Sequence, residues 1–292
     1  MSLKLSKKMS WISSLLWIVG SAMVFSVVSY KAIYYGLSKN RKSSEKQKID
    51  YIVQTGPYKE ALHSDYLTEI LGLSVDHPLV FSSFSVGTAE KQLLSSPVIQ
   101  QAHVKKIKPN MVYVDYSLRK PLAWASDFVN TALDKEGALF PMYPFFSPKR
   151  LPEFYFGELG LKESAKDSLK EPLSGKYVDV AFSLLELFSE NGKDLFFVKK
   201  IDVSEAFSLS LGKREIVVVL ENEIYLDGEE KPALSTHFLR LSLKNFTKEV
   251  ANYLKLRDHL LEADKQELSL IGAKAVKEKV IDLRLSQLAF IE

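Results

Sequence analysis

The chain of 292 residues contains no cysteine. This absence excludes disulfides, thiolate zinc sites and a cysteine nucleophile, but it does not identify the redox compartment. The five histidines lack the spacing of a metal site such as His-Glu-x-x-His, and there is no Walker phosphate loop or Gly-x-Ser-x-Gly motif. The sequence therefore predicts a protein that is not an enzyme, with no catalytic, cofactor-binding or metal-binding residues and no small-molecule substrate.

Most of the chain also lacks an excess of basic residues. The formal net charge is +3, and residues 1–48 hold nine Lys or Arg against one acidic residue. The remaining residues, 49–292, hold 30 basic and 35 acidic residues. Because the net positive charge lies in the N-terminal end, the composition argues against nucleic acid as a partner.

One long apolar run is present near the N-terminus. Residues 11–30 contain no charged side chain, and the apolar character could extend to residue 37. At 1.5 Å per residue, such a helix spans the ~30 Å hydrocarbon core of a bilayer. Trp11, Trp17 and Tyr30 are the aromatic residues expected at the membrane interface. The sequence predicts a transmembrane helix that follows a short tail, residues 1–10, and makes the lipid bilayer one partner.

A cleaved signal peptide is the alternative for this segment, because Lys4, Lys7 and Lys8 precede it. The run exceeds the usual ~7–15 apolar residues of a signal peptide, and no Ala-x-Ala site follows, which favours an uncleaved anchor. Residues 38–48 form a basic linker without apolar side chains. Positive charges in this linker indicate that the C-terminal side faces the cytoplasm.

The folded region begins with a predicted strand at 49–53, followed by two helices with Ser64 and Ser85 as N-caps. A hairpin follows, with its turn at Lys108-Pro109-Asn110. Residues 111–118 alternate so that Val112, Val114, Tyr116 and Leu118 share one face, which is typical of a strand with one buried face. The predicted order is strand, helix, helix, strand, strand.

A second region is predicted to be mixed α/β, with a mainly antiparallel sheet. It begins with a hairpin whose turn contains Asp134 and Gly137. The further predicted elements are a helix at about 174–190, strands at 195–203, 206–211 and 216–220, a turn at Asp227-Gly228, a long helix from about Thr236 to Ala263, and a last strand at 280–291.

Several short motifs follow one another in a fixed order along the chain. They comprise a turn proline, an Arg-x-Pro-x-Ala pattern, an Asp-x-x-Gly-x-x-Phe pattern, a Leu-Pro leading to Gly, and a Val-x-Asp-Leu-Arg pattern. The matching residues are Pro109; Arg119, Pro121 and Ala123; Asp134, Gly137 and Phe140; Leu151, Pro152 and Gly157; and Val280, Asp282, Leu283 and Arg284. With one membrane segment before them, these motifs resemble the bacterial cell-division family FtsQ/DivIB. The similarity thins between residues 160 and 279.

The resemblance implies an α+β protein with a POTRA-type β-α-α-β-β domain at 49–122 and a β-rich C-terminal domain at 123–292. It implies a single-pass protein of the inner membrane, with its N-terminus in the cytoplasm and its large domain in the periplasm, at the division site. This orientation is opposite to the one that the linker charges indicate. The implied role is a scaffold that recruits other single-span division proteins, of the FtsB and FtsL type, for septal peptidoglycan synthesis.

The last predicted strand offers a docking edge, because few residues follow that could cover its unpaired N–H and C=O groups. The resemblance places partner contacts at Arg284, Leu285, Ser286, Gln287, Leu288 and Phe290. Alternatively, Leu283, Leu285 and Phe290 are ordinary core residues of the strand. The family usually has Tyr after Asp-Leu-Arg, whereas this chain has Leu285 and ends at Glu292. Arg119 either pairs with an acidic neighbour or contacts a partner.

Two other functions remain open. One is a POTRA-containing factor for outer-membrane assembly or secretion, although no repeated POTRA unit or series of barrel strands is present. The other is a membrane-tethered cell-wall hydrolase that uses Asp194 with Asp202, or Glu221 with Glu223. Charged residues that flank strands more often face solvent, which disfavours the hydrolase.

Overall fold

The computed structural model describes residues 17–37, 47–57, 60–74, 79–164, 171–192, 195–226, 232–271, 277–285 and 288–292. The chain forms two compact units, one ending at Ser117 and the other beginning at Leu118. We call them the first and the second unit. Together they give a mixed α+β fold with an apolar N-terminal helix and sheets of mixed orientation.

The N-terminal helix, α1, comprises Trp17–Leu37, and its 21 residues have a mean hydropathy of 1.3 over the most apolar window. It is long and apolar enough to cross a bilayer. The side chains of Trp17 and Tyr30 are exposed on it. Trp11 lies outside the described residues. The helix extends to residue 37, the longer of the two predicted ends.

Besides α1, the described part of the first unit contains a three-stranded sheet and two helices. These elements are β1 (Tyr51–Thr55), α2 (Ser64–Ile70), α3 (Val86–Leu94), β2 (Ile99–Ile107) and β3 (Met111–Leu118). The strand order is β1-β3-β2, and β1 is parallel to β3. The buried face of β3 is the one that the alternation predicted: Val112, Val114, Tyr116 and Leu118 are buried. Ser85 caps α3 as predicted, because its side chain accepts the N–H of Thr88.

The second unit is built on a nine-stranded sheet in the order β12-β11-β10-β9-β8-β7-β4-β5-β6. Its strands are β4 (Ala123–Ala125), β5 (Thr131–Leu133), β6 (Leu139–Pro141), β7 (Glu153–Tyr155), β8 (Phe197–Asp202), β9 (Ile216–Ile224), β10 (Ala233–Leu241), β11 (Lys277–Asp282) and β12 (Phe290–Ile291). Three of its eight neighbouring pairs are parallel, namely β4–β7, β7–β8 and β10–β11, and the other five are antiparallel.

Three helices belong to the second unit: α4 (Gly157–Ser164), α5 (Lys176–Gly192) and α6 (Phe246–Ile271). Helix α5 contacts β8, and α6 contacts β10. Their apolar sides and the sheet bury one core, in which Phe154, Phe188 and Tyr253 are among the largest fully buried side chains. Burial of such side chains contributes roughly 1.5–3 kcal/mol each. Helix α6 is the connection between the parallel strands β10 and β11 and thereby positions the C-terminal end of the chain.

Three predicted elements of the second unit are wrong. Residues 206–211 form turns instead of a strand, because the Arg214 guanidinium donates twice to the carbonyl of Ser208 (3.0 and 2.8 Å) and closes a loop. Thr236 lies on β10, and the long helix begins only at Phe246. Glu249 accepts the N–H of Ser242 at 2.6 Å, which ties the strand end to the first turn of α6. The predicted turn at 227–228 lies outside the described residues.

The third wrong element is the last strand. The prediction was one continuous strand over 280–291, whereas the structure has β11 and the short β12, and residues 283–285 and 288–289 belong to neither strand. The interruption follows from the side chain of Asp282, which accepts the N–H of Arg284 at 3.1 Å and turns the chain after β11.

Candidate partner-binding edge

The end of the chain folds back onto β11. Strand β12 is antiparallel to β11, with Ile281 opposite Ile291 and Asp282 opposite Phe290. Val280 and Glu292 exchange two main-chain hydrogen bonds of 3.0 Å. The outer edge of β11 is therefore covered at 280–282 by the chain's own end, which corrects the expectation of an uncovered strand. Strand β12 is the outermost strand at this end of the sheet.

Alternation along β12 determines which main-chain groups face outward. Because Glu292 directs its N–H and C=O toward β11, its neighbour Ile291 directs its own away from β11. A strand added to this edge would pair with Ile291 and gain two main-chain hydrogen bonds. An edge this short provides few such bonds, so side-chain contacts must supply most of the affinity.

The residues predicted to contact a partner are placed as follows. Leu285, Leu288 and Phe290 are exposed, with 63% of the surface of Leu288 and of Phe290 accessible. Ser286 and Gln287 lie outside the described residues. Leu283 is buried in the core. The structure thus brings three apolar side chains to the surface near β12. Of the three residues that could have been ordinary core residues of the strand, only Leu283 is buried.

A groove of about 500 Å³ lies beside this edge. It is lined by α6 on one side and by the C-terminal segment on the other, through Asn252, Lys255, Leu256, Leu283, Leu288, Ala289 and Ile291. Most of the lining is aliphatic, and Lys255 provides a cation. The groove is suited to an apolar side chain of a partner strand that has an acidic group nearby.

Arg284 belongs to a cluster of ion pairs that also contains Arg240, Glu215 and Asp282. Its guanidinium contacts Asp282 at 2.6 Å and Glu215 at 3.1 Å, and Arg240 contacts Glu215 at 2.6 Å and Asp282 at 3.4 Å. Burial raises the pKa of Asp282, but the hydrogen bonds and charge of Arg284 outweigh burial, so the pKa lies below its usual value. We call these four residues the open charge cluster. The Asp-Leu-Arg motif thereby fastens the end of β11 to its neighbours.

The Asp-x-x-Gly-x-x-Phe motif forms the turn between β5 and β6. Asp134 is buried and accepts the N–H groups of Glu136 and Ala138 at 2.9 and 3.0 Å. Arg119 donates to the same carboxylate at 2.7 Å, so this arginine pairs with an acidic neighbour. Gly137 has φ of 80°, and a Cβ there would collide with the carbonyl oxygen of Leu173.

The remaining motif residues also lie at structural positions. Phe140 is buried against Phe146, with 5.6 Å between the ring centroids. Ala123 is buried in β4, and Pro121 lies just before that strand. Pro109 lies in the turn between β2 and β3, as predicted.

A polar cluster that the sequence did not predict is buried beneath α6, and we call it the buried charge cluster. Ser235 donates its hydroxyl to Asp264 at 2.6 Å and lies 3.1 Å from His237 Nε2. His237 Nδ1 lies 2.9 Å from the hydroxyl of Tyr253. The ammonium of Lys279, on β11, pairs with the other oxygen of Asp264. The cluster therefore joins β10, β11 and α6.

Burial and neighbouring charges set the ionisation of this cluster. Burial lowers the pKa of His237 more than the hydrogen bond to Asp264 raises it. Burial also raises the pKa of Asp264, but the hydrogen bonds from Lys279 and Ser235 outweigh burial and the pKa is lowered. Burial raises the pKa of Tyr253 to about 12. The cluster at neutral pH is a neutral imidazole beside a paired carboxylate and ammonium.

The buried charge cluster does not have the geometry of a Ser-His-Asp catalytic triad. In a triad, the carboxylate holds the imidazole nitrogen opposite the serine. Here Tyr253 occupies that position, and Asp264 contacts the serine directly. Ser235, His237 and Asp264 are also fully buried, so the hydroxyl has no surface toward a substrate.

The three described carboxylates considered for a wall hydrolase, Asp202, Glu221 and Glu223, are held in ion pairs. Glu221 contacts Lys199 at 2.8 Å and Arg150 at 3.1 Å. Burial raises the pKa of Glu221, but these two cations outweigh burial and the pKa is lowered. A general acid needs a raised pKa, so this environment is unfavourable for that role. Asp194 lies outside the described residues. Within the described ranges, no group of three His, Asp or Glu side chains could hold a metal ion.

The chain was also compared with known proteins. No protein-family model matches it, and no curated protein matches it. The geometry of the described residues therefore carries the functional argument, and it points to the apolar edge and groove at the C-terminal end.

Proposed function

We propose that this protein is a non-enzymatic, membrane-anchored scaffold of the bacterial divisome that recruits other division proteins, of the FtsB and FtsL type. One observation carries the proposal. Phe290, on the outermost strand of a large sheet, and Leu288, just before that strand, are exposed beside an aliphatic groove, in a chain whose first helix can cross a bilayer. Exposed apolar side chains around an open strand edge are typical of strand-docking surfaces.

The partner is an extended segment of another chain, added next to β12. Side chains alternate along a strand, so every second residue of the partner faces α6 and reaches the groove. Ile291 shares this face with Ile281, its cross-strand neighbour, and Phe290 faces the other side. The partner strand is thus contacted on both faces, with Lys255 beside the groove favouring an acidic residue.

The arrangement of the first unit supports a POTRA-type domain. Its elements follow the order β-α-α-β-β, and the two helices belong to the same compact unit as the sheet. In the proposed protein, this domain lies outside the cytoplasm near the membrane, and the N-terminus lies in the cytoplasm. The second unit provides the docking edge for septal peptidoglycan synthesis partners.

The division assignment is tested by localisation. A fluorescent protein is fused to the N-terminus, and dividing cells of the source organism are imaged before and after depletion of the native protein. The proposal expects a band at the division site and failed septation on depletion. Uniform membrane fluorescence with normal septation would overturn it.

The docking edge is tested separately with two matched variants. Leu288→Glu places a charge beside the groove, whereas Leu209→Glu places the same charge on an equally apolar residue that is 98% exposed in the β8–β9 loop and does not line the groove. The edge proposal expects the Leu288 variant to localise but to lose co-purification of its partners. The Leu209 variant should retain them. Equal partner recovery with both variants would exclude this edge.

A further inference from the structure

The two outer edges of the three-stranded sheet in the first unit are not equivalent. On β2, the Glu90 carboxylate of α3 accepts the N–H of Val104 at 2.9 Å and lies 3.0 Å from His103 Nδ1. The Lys106 ammonium reaches the carbonyl of Phe84 at 3.1 Å. Charged side chains on an edge strand oppose pairing with another strand. The edge of β2 is therefore protected.

The edge of β1 has no such protection among the described residues. Strand β1 pairs at 51–55 with β3 only, and its sequence, Tyr-Ile-Val-Gln-Thr, contains no charge. The outer edge of the preceding residues 47–49 is paired with residues 79–81, so the free edge begins at Tyr51. Asp50 donates its N–H toward β3, to Asn110 O at 3.1 Å, so alternation directs the main-chain groups of Tyr51 and Val53 outward. The same two residues are 62% and 40% exposed.

There is also space beside this edge. A groove of about 630 Å³ lies along residues 48–52, and its other walls come from α2 and from residues of the 73–79 region that the structure describes. An uncharged edge with exposed aromatic and β-branched side chains, next to open space, is a template for an added strand.

We propose that β1 pairs with β1 of a second copy of this chain, antiparallel about Val53, which joins two three-stranded sheets into one sheet of six strands. In this register Val53 faces its own copy, and Tyr51 faces Thr55. No charged residues meet between 51 and 55, and Asp50 faces the Gly56 of the other copy. The pairing thus creates no like-charge contact, which is the requirement for an isologous interface.

The small size of the interface explains why it requires a membrane. Five residues per copy bury far less than the ~1,200 Å² of a stable protein interface. Anchoring through α1 confines the copies to two dimensions and raises their effective concentration. Self-pairing therefore occurs between membrane-anchored chains and is independent of the C-terminal docking edge.

The absence of native cysteine permits a direct test. Val53→Cys in the full-length chain, reconstituted into lipid vesicles, introduces the only thiol. Residues facing each other as a hydrogen-bonded pair have Cα atoms ~5.5 Å apart, within the range of a disulfide. Under mild oxidation, the variant should form a covalent dimer at least about tenfold faster than His103→Cys on the protected β2 edge, because pairing raises the local thiol concentration.

A second variant separates strand pairing from random collision. Tyr51→Pro, added to Val53→Cys, removes one outward N–H without removing a bond to β3, and proline is tolerated on edge strands. The covalent dimer should then form no faster than with His103→Cys. Equal rates for Val53→Cys and His103→Cys would overturn the proposal, as would a Val53→Cys rate that Tyr51→Pro leaves unchanged. Circular dichroism of each variant confirms that the chain is folded.

Discussion

Strands β10 and β11 carry one charged cluster on each of their two faces, and the clusters differ in burial. In the buried charge cluster, the side chain of Asp264 is fully buried and that of Lys279 is 12% exposed. In the open charge cluster, the four side chains are 20–36% exposed. Similar residue types thus meet in two environments, and water can replace a lost partner in only one of them.

The two environments follow from the period-2 alternation of strands. His237 and Lys279 are opposite each other in the β10–β11 register and share the face toward α6. Arg240 and Asp282 are also opposite each other, an odd number of residues further along, so they share the other face. The same two strands can therefore hold α6 through one face and the C-terminal end through the other.

The largest effect is expected from breaking the buried pair. Asp264→Ala leaves the Lys279 ammonium without a carboxylate in a buried site, which typically costs about 3–5 kcal/mol. Denaturant unfolding of the full-length chain in detergent measures the loss. Glu262→Ala is the matched control, because it removes an exposed carboxylate from the same helix and should change stability by less than about 0.5 kcal/mol.

A double variant shows whether the cost comes from the unpaired charge. Asp264→Leu with Lys279→Met removes both charges and should recover much of the stability that Asp264→Ala loses, since apolar replacements of buried pairs are often neutral. If Asp264→Ala costs no more than Glu262→Ala, the buried cluster does not fasten α6 to β11.

Lowering the pH should decrease the free energy of unfolding, because His237 in the buried charge cluster resists protonation in the folded chain. Its pKa is lowered in the folded chain by burial, with Lys279 and Arg257 adding to the effect and Asp264 opposing it. The unfolded chain, with a histidine pKa near ~6.5, then binds more protons, so stability falls as pH decreases below that value. One such group contributes a slope of at most about 1.4 kcal/mol per pH unit.

The depressed pKa of Asp264 acts in the same direction at lower pH, because its stabilising charge is lost as pH falls through the folded pKa. Thermal unfolding between pH 7 and 5 isolates the histidine contribution. His237→Gln should reduce the pH dependence of the unfolding temperature in that window. If stability depends on pH equally in the native chain and in His237→Gln between pH 7 and 5, the pH dependence does not come from His237.

A smaller effect is expected from the open charge cluster. Glu215 contacts both arginines, Arg240 and Arg284. Glu215→Gln keeps the size of the side chain and removes its charge, and partly exposed ion pairs contribute about 1 kcal/mol or less. Chemical denaturation compares this variant with Asp264→Ala. A cost for Glu215→Gln as large as that for Asp264→Ala would abolish the distinction between the two faces.

Local patterns in the sequence predicted the features that depend on neighbouring residues. The buried face of β3 follows from the alternation of Val112, Val114 and Tyr116, and the cap of α3 follows from Ser85. The turn at Asp134 and Gly137 is also a local arrangement of side chain and backbone. At the candidate site, the apolar character of Leu285, Leu288 and Phe290 was evident, and the structure places all three at the surface.

The features that sequence reasoning missed depend on contacts between distant residues. Thr236 was predicted as the start of the long helix, whereas it lies on β10. The burial of its polar neighbours Ser235 and His237 depends on Asp264 from α6. The return of β12 onto β11 depends on the main-chain hydrogen bonds between Val280 and Glu292. Neither arrangement has a periodic signal, because its polar groups are satisfied by partners far along the chain.

The smallest expected effect is a difference in salt dependence between the two charge clusters. Raising the ionic strength from 0.1 to 1 M shortens the Debye length from ~10 to ~3 Å and weakens interactions between exposed charges. The stabilising contribution of Glu215 should therefore decrease by a few tenths of a kcal/mol, seen as a smaller cost of Glu215→Gln at high salt. The cost of Asp264→Ala should hardly change, because its pair with Lys279 lies away from solvent ions. If salt changes the stability costs of the two variants equally, solvent ions reach both clusters. Any remaining difference in stability cost between the two clusters would then come from packing and not from screening of charge.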